Sequence, residues 1–235
     1  MKVYSFDVFD TVLTRIVAHP ADVFRLMEKS IRATGQLHFR GAQCFSSARI
    51  WAEFRARRKS KREDVTLDNI YEMLKLLLLL DDEQVCCLME LELEIERRLI
   101  SPIAVTFDMI RELRCQGNRL VFISDMYLPT AFVRELLISA GIAEPNDPVY
   151  VSGDLGVTKG SGKLFDLVLA REGILAGQLI HYGDNLHSDV AVPRKRGIAA
   201  GTRGALLRRP HWLALMAYGV SVLSSRRNMG LSRVT

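Results

Sequence analysis

The chain has 235 residues, of which 49% are hydrophobic and 25% charged. This ordinary globular composition can bury a core in one or two domains and excludes a disordered, collagenous or disulfide-scaffold protein. The net charge of +5 is divided unevenly, about −4 over residues 1–189 and +9 over residues 190–235, so the basic character belongs to the tail and no general nucleic-acid-binding surface is expected.

No apolar run approaches the ~20 residues that span a bilayer; the greasiest stretch, Leu76–Leu80, is five leucines long. The opening MKVYSFDVFD places acids where a signal peptide carries its apolar region, so a cytoplasmic location is expected. Cys44, Cys86, Cys87 and Cys115 show no metal-ligand spacing and are expected to be reduced thiols, buried or half-buried.

Lys2–Phe6 reads as a short strand ending on acids. From Val12 to Ile100 the pattern is almost purely helical. Pro20-Ala-Asp opens a first helix with Val23, Phe24, Met27 and Ile31 on one face, closed by Gly35. A second places Phe45, Ala48, Ala52 and Trp51 inward, then runs into the basic stretch Arg55–Arg62. Thr66 is placed to cap a third, with Ile70, Leu74 and Leu77 inward. A fourth, from about Asp82 to Leu99, keeps Val85, Leu88, Leu91, Ile95 and Leu99 in one arc, with acids at its N-terminal end and arginines at its C-terminal end. Four such amphipathic helices form a small bundle that must cover something.

From Ser101 the rhythm changes to helix, glycine, strand. Strands are predicted at Leu120–Ile123, Val149–Val151, Leu179–Tyr182 and Ile198–Ala200, with helices around Met109–Leu113, Phe132–Ala140, Leu164–Val168 and from about Asp189. Gly117, Gly141 and Gly173 follow three of these helices as left-handed C-caps. Apolar strands alternating with helices imply βαβ units and a parallel sheet covered on both faces: an α/β, Rossmann-like doubly wound core formed by residues 1–11 and 101–201, with an inserted all-helical unit at 12–100 and a basic extension at 202–235.

Ligands of open α/β sheets bind at the carboxyl ends of the strands. Those ends carry Asp7-Val-Phe-Asp10-Thr11, Ser124-Asp125, Thr158-Lys159 and Gly183-Asp184-Asn185, with Asp189 beyond. Crowded carboxylates repel one another unless a cation sits among them, and hard oxygen ligands suit Mg²⁺ rather than zinc. With a lysine to offset an anion, the set suits phosphate chemistry in which one carboxylate attacks.

On these residues the chain resembles the haloacid dehalogenase superfamily over roughly residues 1–201. Asp7 to Thr11 matches the DxDx[TV] motif, Ser124 the Ser or Thr that closes a strand, Lys159 with Phe165 the lysine motif, and Gly183-Asp184 to Asp189 the GDxxxxD motif. The wording SFDVFDT, SDMYLP and GDNLHSD looks nearest to the branch associated with bacterial glycosyltransferases. The resemblance implies that residues 12–100 form a cap. It also implies that Asp7 is the nucleophile of an aspartyl-phosphate intermediate, and that Ser124 and Lys159 hold the phosphoryl group. Mg²⁺ would be held by Asp7, the Phe9 carbonyl and Asp184. Asp189 would act through a water or orient Lys159. Asp125 and Asn185 are further candidates for substrate or phosphate binding.

Two departures stand out. Gly160 replaces the usual proline after the lysine, and Phe9 occupies the position of the second aspartate, the acid/base of the family's phosphatases. A phenyl ring transfers no proton. Asp10 either takes over that duty or caps the turn. The expected function is an Mg²⁺-dependent phosphatase acting on a small phosphorylated metabolite such as a sugar phosphate. The alternatives are a weak or inactive binding domain working with a glycan-assembly enzyme, or a metal-free dehalogenase, which Asp184 argues against.

Among the remaining residues, Asp154 lies in a rim loop, and His187, which could touch ligand, reads as structural or solvated. His181 reads as packed or paired in a strand, and Lys163 as a competitor to Lys159. Met126 and Tyr127 fit either a substrate entrance or the core, and the Arg55–Arg62 run reads as a solvated face. Pro193 is placed to shorten or kink the last helix. In the tail, Trp212, Leu213, Met216, Val220 and Leu223 recur at helical spacing between arginine pairs, which suggests docking on the core or on a protein partner.

Overall fold

The computed structural model describes residues 2–34, 39 and 41–202. Five parallel strands form the central sheet in the order β5-β4-β1-β6-β7: β1 Val3–Phe6, β4 Arg119–Ser124, β5 Val149–Val151, β6 Leu179–Gly183 and β7 Ala199–Thr202. Alternation along β4 shows why both faces are covered. Leu120 and Phe122 enter one apolar cluster, and Val121 and Ile123 the other. The chain builds outward from β1 through β4 to β5, then returns to the other side of β1 for β6 and β7. The carboxyl ends of β1 and β6 therefore flank the switch point where such sheets open a crevice.

Between β1 and β4 lie α1 Asp22–Thr34, α2 Phe45–Lys59, α3 Leu67–Leu78 and α4 Asp82–Leu99. Their expected apolar faces are largely inward: Val23, Phe24, Met27, Ile31, Ile70, Leu74, Leu88, Ile95 and Leu99 are buried. Thr66 and Asp81 both close capping boxes, on α3 and α4. Gly35 and the tail helix expected around Trp212 lie outside the described residues.

Several local expectations are corrected. The helical stretch is bracketed by a two-stranded antiparallel ribbon, β2 Leu13–Arg15 with β3 Ile100–Pro102; strands of three residues carry too little periodicity to be read. Trp51 and Leu77 are about half exposed, whereas Arg49 is completely buried. Arg49 forks onto Glu92 (2.8 and 2.9 Å), and the Tyr71 hydroxyl donates to the same carboxylate at 2.8 Å. A buried charge persists only when paired in this way; Arg49 shares the inward face of α2 with Phe45, Ala48 and Ala52, which lie as expected, and Trp51 alone of that set is turned out. All four cysteines are exposed, Cys86 and Cys87 on the outer side of α4. The last helix is split into a π-helical turn, Leu186–Ala191, and the short α9 Val192–Lys195. Pro193 lies in the first turn of α9, where its missing N–H costs little. The remaining helices, α5 Ala104–Cys115, α6 Thr130–Ser139, α7 Ser152–Leu155 and α8 Lys163–Glu172, fall between the strands as the alternation requires. Among the described residues no helix is long and apolar enough to cross a membrane.

Candidate active site

The backbone leaves β1 at Asp7, whose amide donates to the Tyr182 carbonyl at 2.8 Å, and this carries the Asp7 carboxylate over the sheet's edge beside β6. The side chain is 8% exposed. Its Oδ2 accepts the Thr11 hydroxyl at 3.0 Å, and its Oδ1 accepts Lys159 Nζ at 2.6 Å. The motif alone gives Thr11 no role; its position four residues after Asp7, in the turn after β1, lets it reach back.

Lys159 also donates to Asp189 Oδ1 at 2.6 Å. The other Asp189 oxygen accepts the Asn185 amide at 3.0 Å, which fastens the carboxylate to the π-helical turn. Below it, in the middle of β6, is His181, fully buried, with Nε2 3.3 Å from Asp189 Oδ1 and Nδ1 2.8 Å from Ser5 Oγ. Burial holds the His181 pKa below its ordinary value. The neutral ring donates its Nε2–H to Asp189 and accepts from Ser5, an orientation set by its two neighbours. The expected packed or paired histidine is both.

Gly183 is required here by space. A Cβ at this position would stand 2.3 Å from Asp189 Cγ and 2.5 Å from its Oδ2. The glycine of the fourth motif therefore admits the aspartate six residues later.

The electrostatics follow from burial. Loss of solvent, opposed by Lys159, raises the Asp7 carboxyl to about 7. Burial also pushes Asp189 up, but the His181 hydrogen bond and the Lys159 charge win and hold it below the carboxylate range. Lys159 is raised despite its burial because Asp7, Asp189 and Asp125 surround it. Asp184, half-buried, is raised by burial and by its neighbours Asp189 and Asp10. One oxygen from each of Asp7, Asp184 and Asp189 lies within 4.8 Å of the others.

The remaining candidates divide. Asp125 accepts the backbone N–H of Lys159 on both oxygens (2.8 and 3.1 Å), so it holds the lysine's main chain. The side chain of Asn185 accepts from the His187 and Ser188 amides, capping the turn. Asp10 adopts φ 60°, the left-handed conformation that glycine takes most readily, and accepts the Thr14 hydroxyl at 3.2 Å. Phe9 lies under the Arg15 guanidinium, 4.5 Å from ring centroid, and Arg15 is forked onto Glu96 at 2.8 and 2.9 Å. Ser124 is buried at the end of β4, beside β1. Asp154 caps α6 through the Thr130 amide, and Lys163 pairs with Glu63 instead of the aspartates. His187 is exposed, Tyr127 is buried in the core and Met126 is half-buried against it.

No protein-family model matches the chain, and no curated protein matches it in sequence. Solved structures do match in fold. A HAD phosphatase from Thermococcus onnurineus is 20% identical, with 90% of each chain covered and a TM-score of 0.58. A 2-haloacid dehalogenase from Pseudomonas syringae pv. Tomato DC3000 is 16% identical, covering 95% of this chain and 99% of that one, with a TM-score of 0.61. YfnB from Bacillus subtilis, in a structure bound to magnesium, is 18% identical over 86% of each chain, with a TM-score of 0.55. The architecture defines a Rossmann-like α/β protein with a helical insertion. More particularly, the chain has the fold of the haloacid dehalogenase superfamily.

Proposed function

We propose that this protein is a Mg²⁺-dependent phosphoryl hydrolase in which Asp7 is the nucleophile and α1–α4 serve as the cap. The observation that carries this reading is Lys159, buried and bonded to both Asp7 and Asp189, with Asp184 completing a carboxylate trio at the strand ends. The hard carboxylate oxygens of Asp7 and Asp184, close together with Asp189 beside them, fit Mg²⁺. Asp7 and Asp184, with the Phe9 carbonyl, would hold it, and Asp189 serves chiefly to hold Lys159. When bound, the cation supplies positive charge that offsets the phosphoryl oxygens.

The chain's own residues account for the rest. An Asp7 oxygen attacks phosphorus, the bond from phosphorus to the leaving oxygen breaks, and water then cleaves the acyl phosphate to return the carboxylate. Lys159 opposes the protonation of Asp7 that burial favours and takes up charge on the phosphoryl oxygens. Thr11 fixes the Asp7 rotamer so that one oxygen is aimed. The Ser124 hydroxyl hydrogen-bonds a phosphoryl oxygen. Phe9, fixed under Arg15, contributes no proton to the leaving group. Substrates whose leaving oxygen is already acidic, such as aryl, acyl or anomeric sugar phosphates, are therefore favoured among small phosphorylated metabolites.

The test is turnover of an aryl phosphate with Mg²⁺ by the purified chain. Asp7→Asn abolishes it if the reading is right, and undiminished activity in that variant refutes it. Chelator-insensitive halide release from a 2-haloacid would instead support the dehalogenase reading, which Phe9 favours and Asp184 opposes.

A further inference from the structure

We propose that Glu63 is a positioning residue through which the helical insertion holds the Lys159 loop in working geometry. The role assigned to Lys159 rests on the function proposed above; the contacts themselves do not. Glu63 lies in the segment joining α2 to α3, far from Lys159 in sequence. Its Oε2 accepts the Thr158 backbone N–H at 3.0 Å, the Thr158 hydroxyl at 3.3 Å and the Ser161 hydroxyl at 2.6 Å, while Oε1 takes the Lys163 ammonium. Two consecutive amides of the loop are thus held by carboxylates from different parts of the fold: Thr158 by Glu63 of the insertion, and Lys159 by Asp125 after β4.

The segment carrying Glu63 is itself fixed. The Glu63 amide donates to Gly156 O at 3.2 Å, and Arg62 donates to Asp154 O at 2.6 Å. Asp64 is buried, takes the Ser152 hydroxyl on one oxygen, and accepts the Val65 amide on the other at 2.8 Å. Ser152 in turn accepts the Met126 amide, and Leu67 N–H donates to Tyr127 O at 2.9 Å. The insertion is therefore stitched across the loops after β4 and β5. The loop contains Gly160 and Gly162, which impose little conformational order of their own. A lysine carried on such a loop needs outside restraint, because small misplacements of a charged group are costly to turnover. The exposed ion pair to Lys163 contributes little; the amide and hydroxyl bonds are the restraint.

The test uses the full chain. Glu63→Ala removes every acceptor, whereas Glu63→Gln keeps a carbonyl oxygen for the Thr158 amide and the two hydroxyls and loses the charge and the oxygen that takes Lys163. Hydrogen–deuterium exchange without substrate should rise about tenfold over residues 158–163 in Glu63→Ala and stay near wild type in Glu63→Gln. Aryl phosphate turnover with Mg²⁺ should show kcat falling about tenfold in Glu63→Ala with KM nearly unchanged, and recovering in Glu63→Gln. Unchanged exchange at 158–163 overturns the proposal. So does a rise shared equally by α1 and α4, which reports general destabilisation, and so does a loosened loop with unaltered kcat. If the wild type turns over no phosphate, the phosphatase reading fails, and the exchange data alone decide whether Glu63 holds the loop.

Discussion

Lys159 Nζ and Asp7 Oδ1 lie 2.6 Å apart, although 152 residues separate them in the chain. The ammonium is a buried cation whose partners, Asp7 and Asp189, are buried anions, so each is costly without the others. Lys159→Met should remove about 3–5 kcal/mol of stability, measured by urea unfolding, and lower turnover by at least about 10²-fold. Lys159→Met combined with Asp189→Asn should recover part of the stability and none of the activity.

Burial raises the Asp7 carboxyl from 3.8 to about 7. Because the folded value lies above the unfolded one, this group favours folding at low pH, and that contribution is lost as pH rises from 3.8 through 7. In metal-free protein, Asp7→Asn should therefore raise Tm by several degrees at pH 8.5 and change it little at pH 4. Mg²⁺ should raise the Tm of the wild type and leave that of Asp7→Asn almost unmoved, as differential scanning fluorimetry would show.

Gly183→Ala places a methyl 2.3 Å from Asp189 Cγ, on a buried side chain bonded to three neighbours. Overpacking there should cost about 1–3 kcal/mol and move Asp189 off Lys159. The expected outcome is folded protein by circular dichroism with turnover reduced at least about tenfold. Wild-type kinetics in this variant would mean that Asp189 does not need its observed place.

With Phe9 supplying no proton, the rate over a series of aryl and alkyl phosphates should fall steeply as the leaving group becomes more basic. Phe9→Asp should flatten that dependence and speed alkyl phosphates about tenfold or more, since a positioned acid is worth about 10²–10⁴ where it is needed. The slope of log kcat/KM against leaving-group pKa is the measurement.

Glu63 is held at about 2, below its ordinary 4.5, first by the Lys163 and Ser161 hydrogen bonds. A depressed carboxylate stabilises the fold above its unfolded pKa and loses that contribution as pH falls through the folded one. The Tm difference between wild type and Glu63→Gln should be constant above pH 5 and shrink between pH 4.5 and 2.

Much of this architecture was legible because it is written in local patterns. Apolar strands followed by helix and glycine announced the parallel sheet, and Thr66 and the Asp81–Asp82 pair marked helix starts. The strand-end rule pointed to Asp7, Ser124, Lys159 and Asp184 before any contact was known. What escaped reading had no local signature. The ribbon of Leu13–Arg15 with Ile100–Pro102 pairs segments too short to show a period. Arg49 and Glu92 look like solvated helix residues until a third helix brings Tyr71 beside them. Glu63 and Asp64 look like part of a charged turn, and only docking against the loops after β4 and β5 makes them restraints.

Sequence alone placed the candidate acids and the lysine at one end of the sheet, because strand polarity and side-chain type are properties of the chain itself. Tertiary structure decided their partners. Asp125 became a brace for the Lys159 amide, Asn185 a cap and His181 the orienter of Asp189, since hydrogen bonds between distant segments are chosen by the geometry of the closed fold.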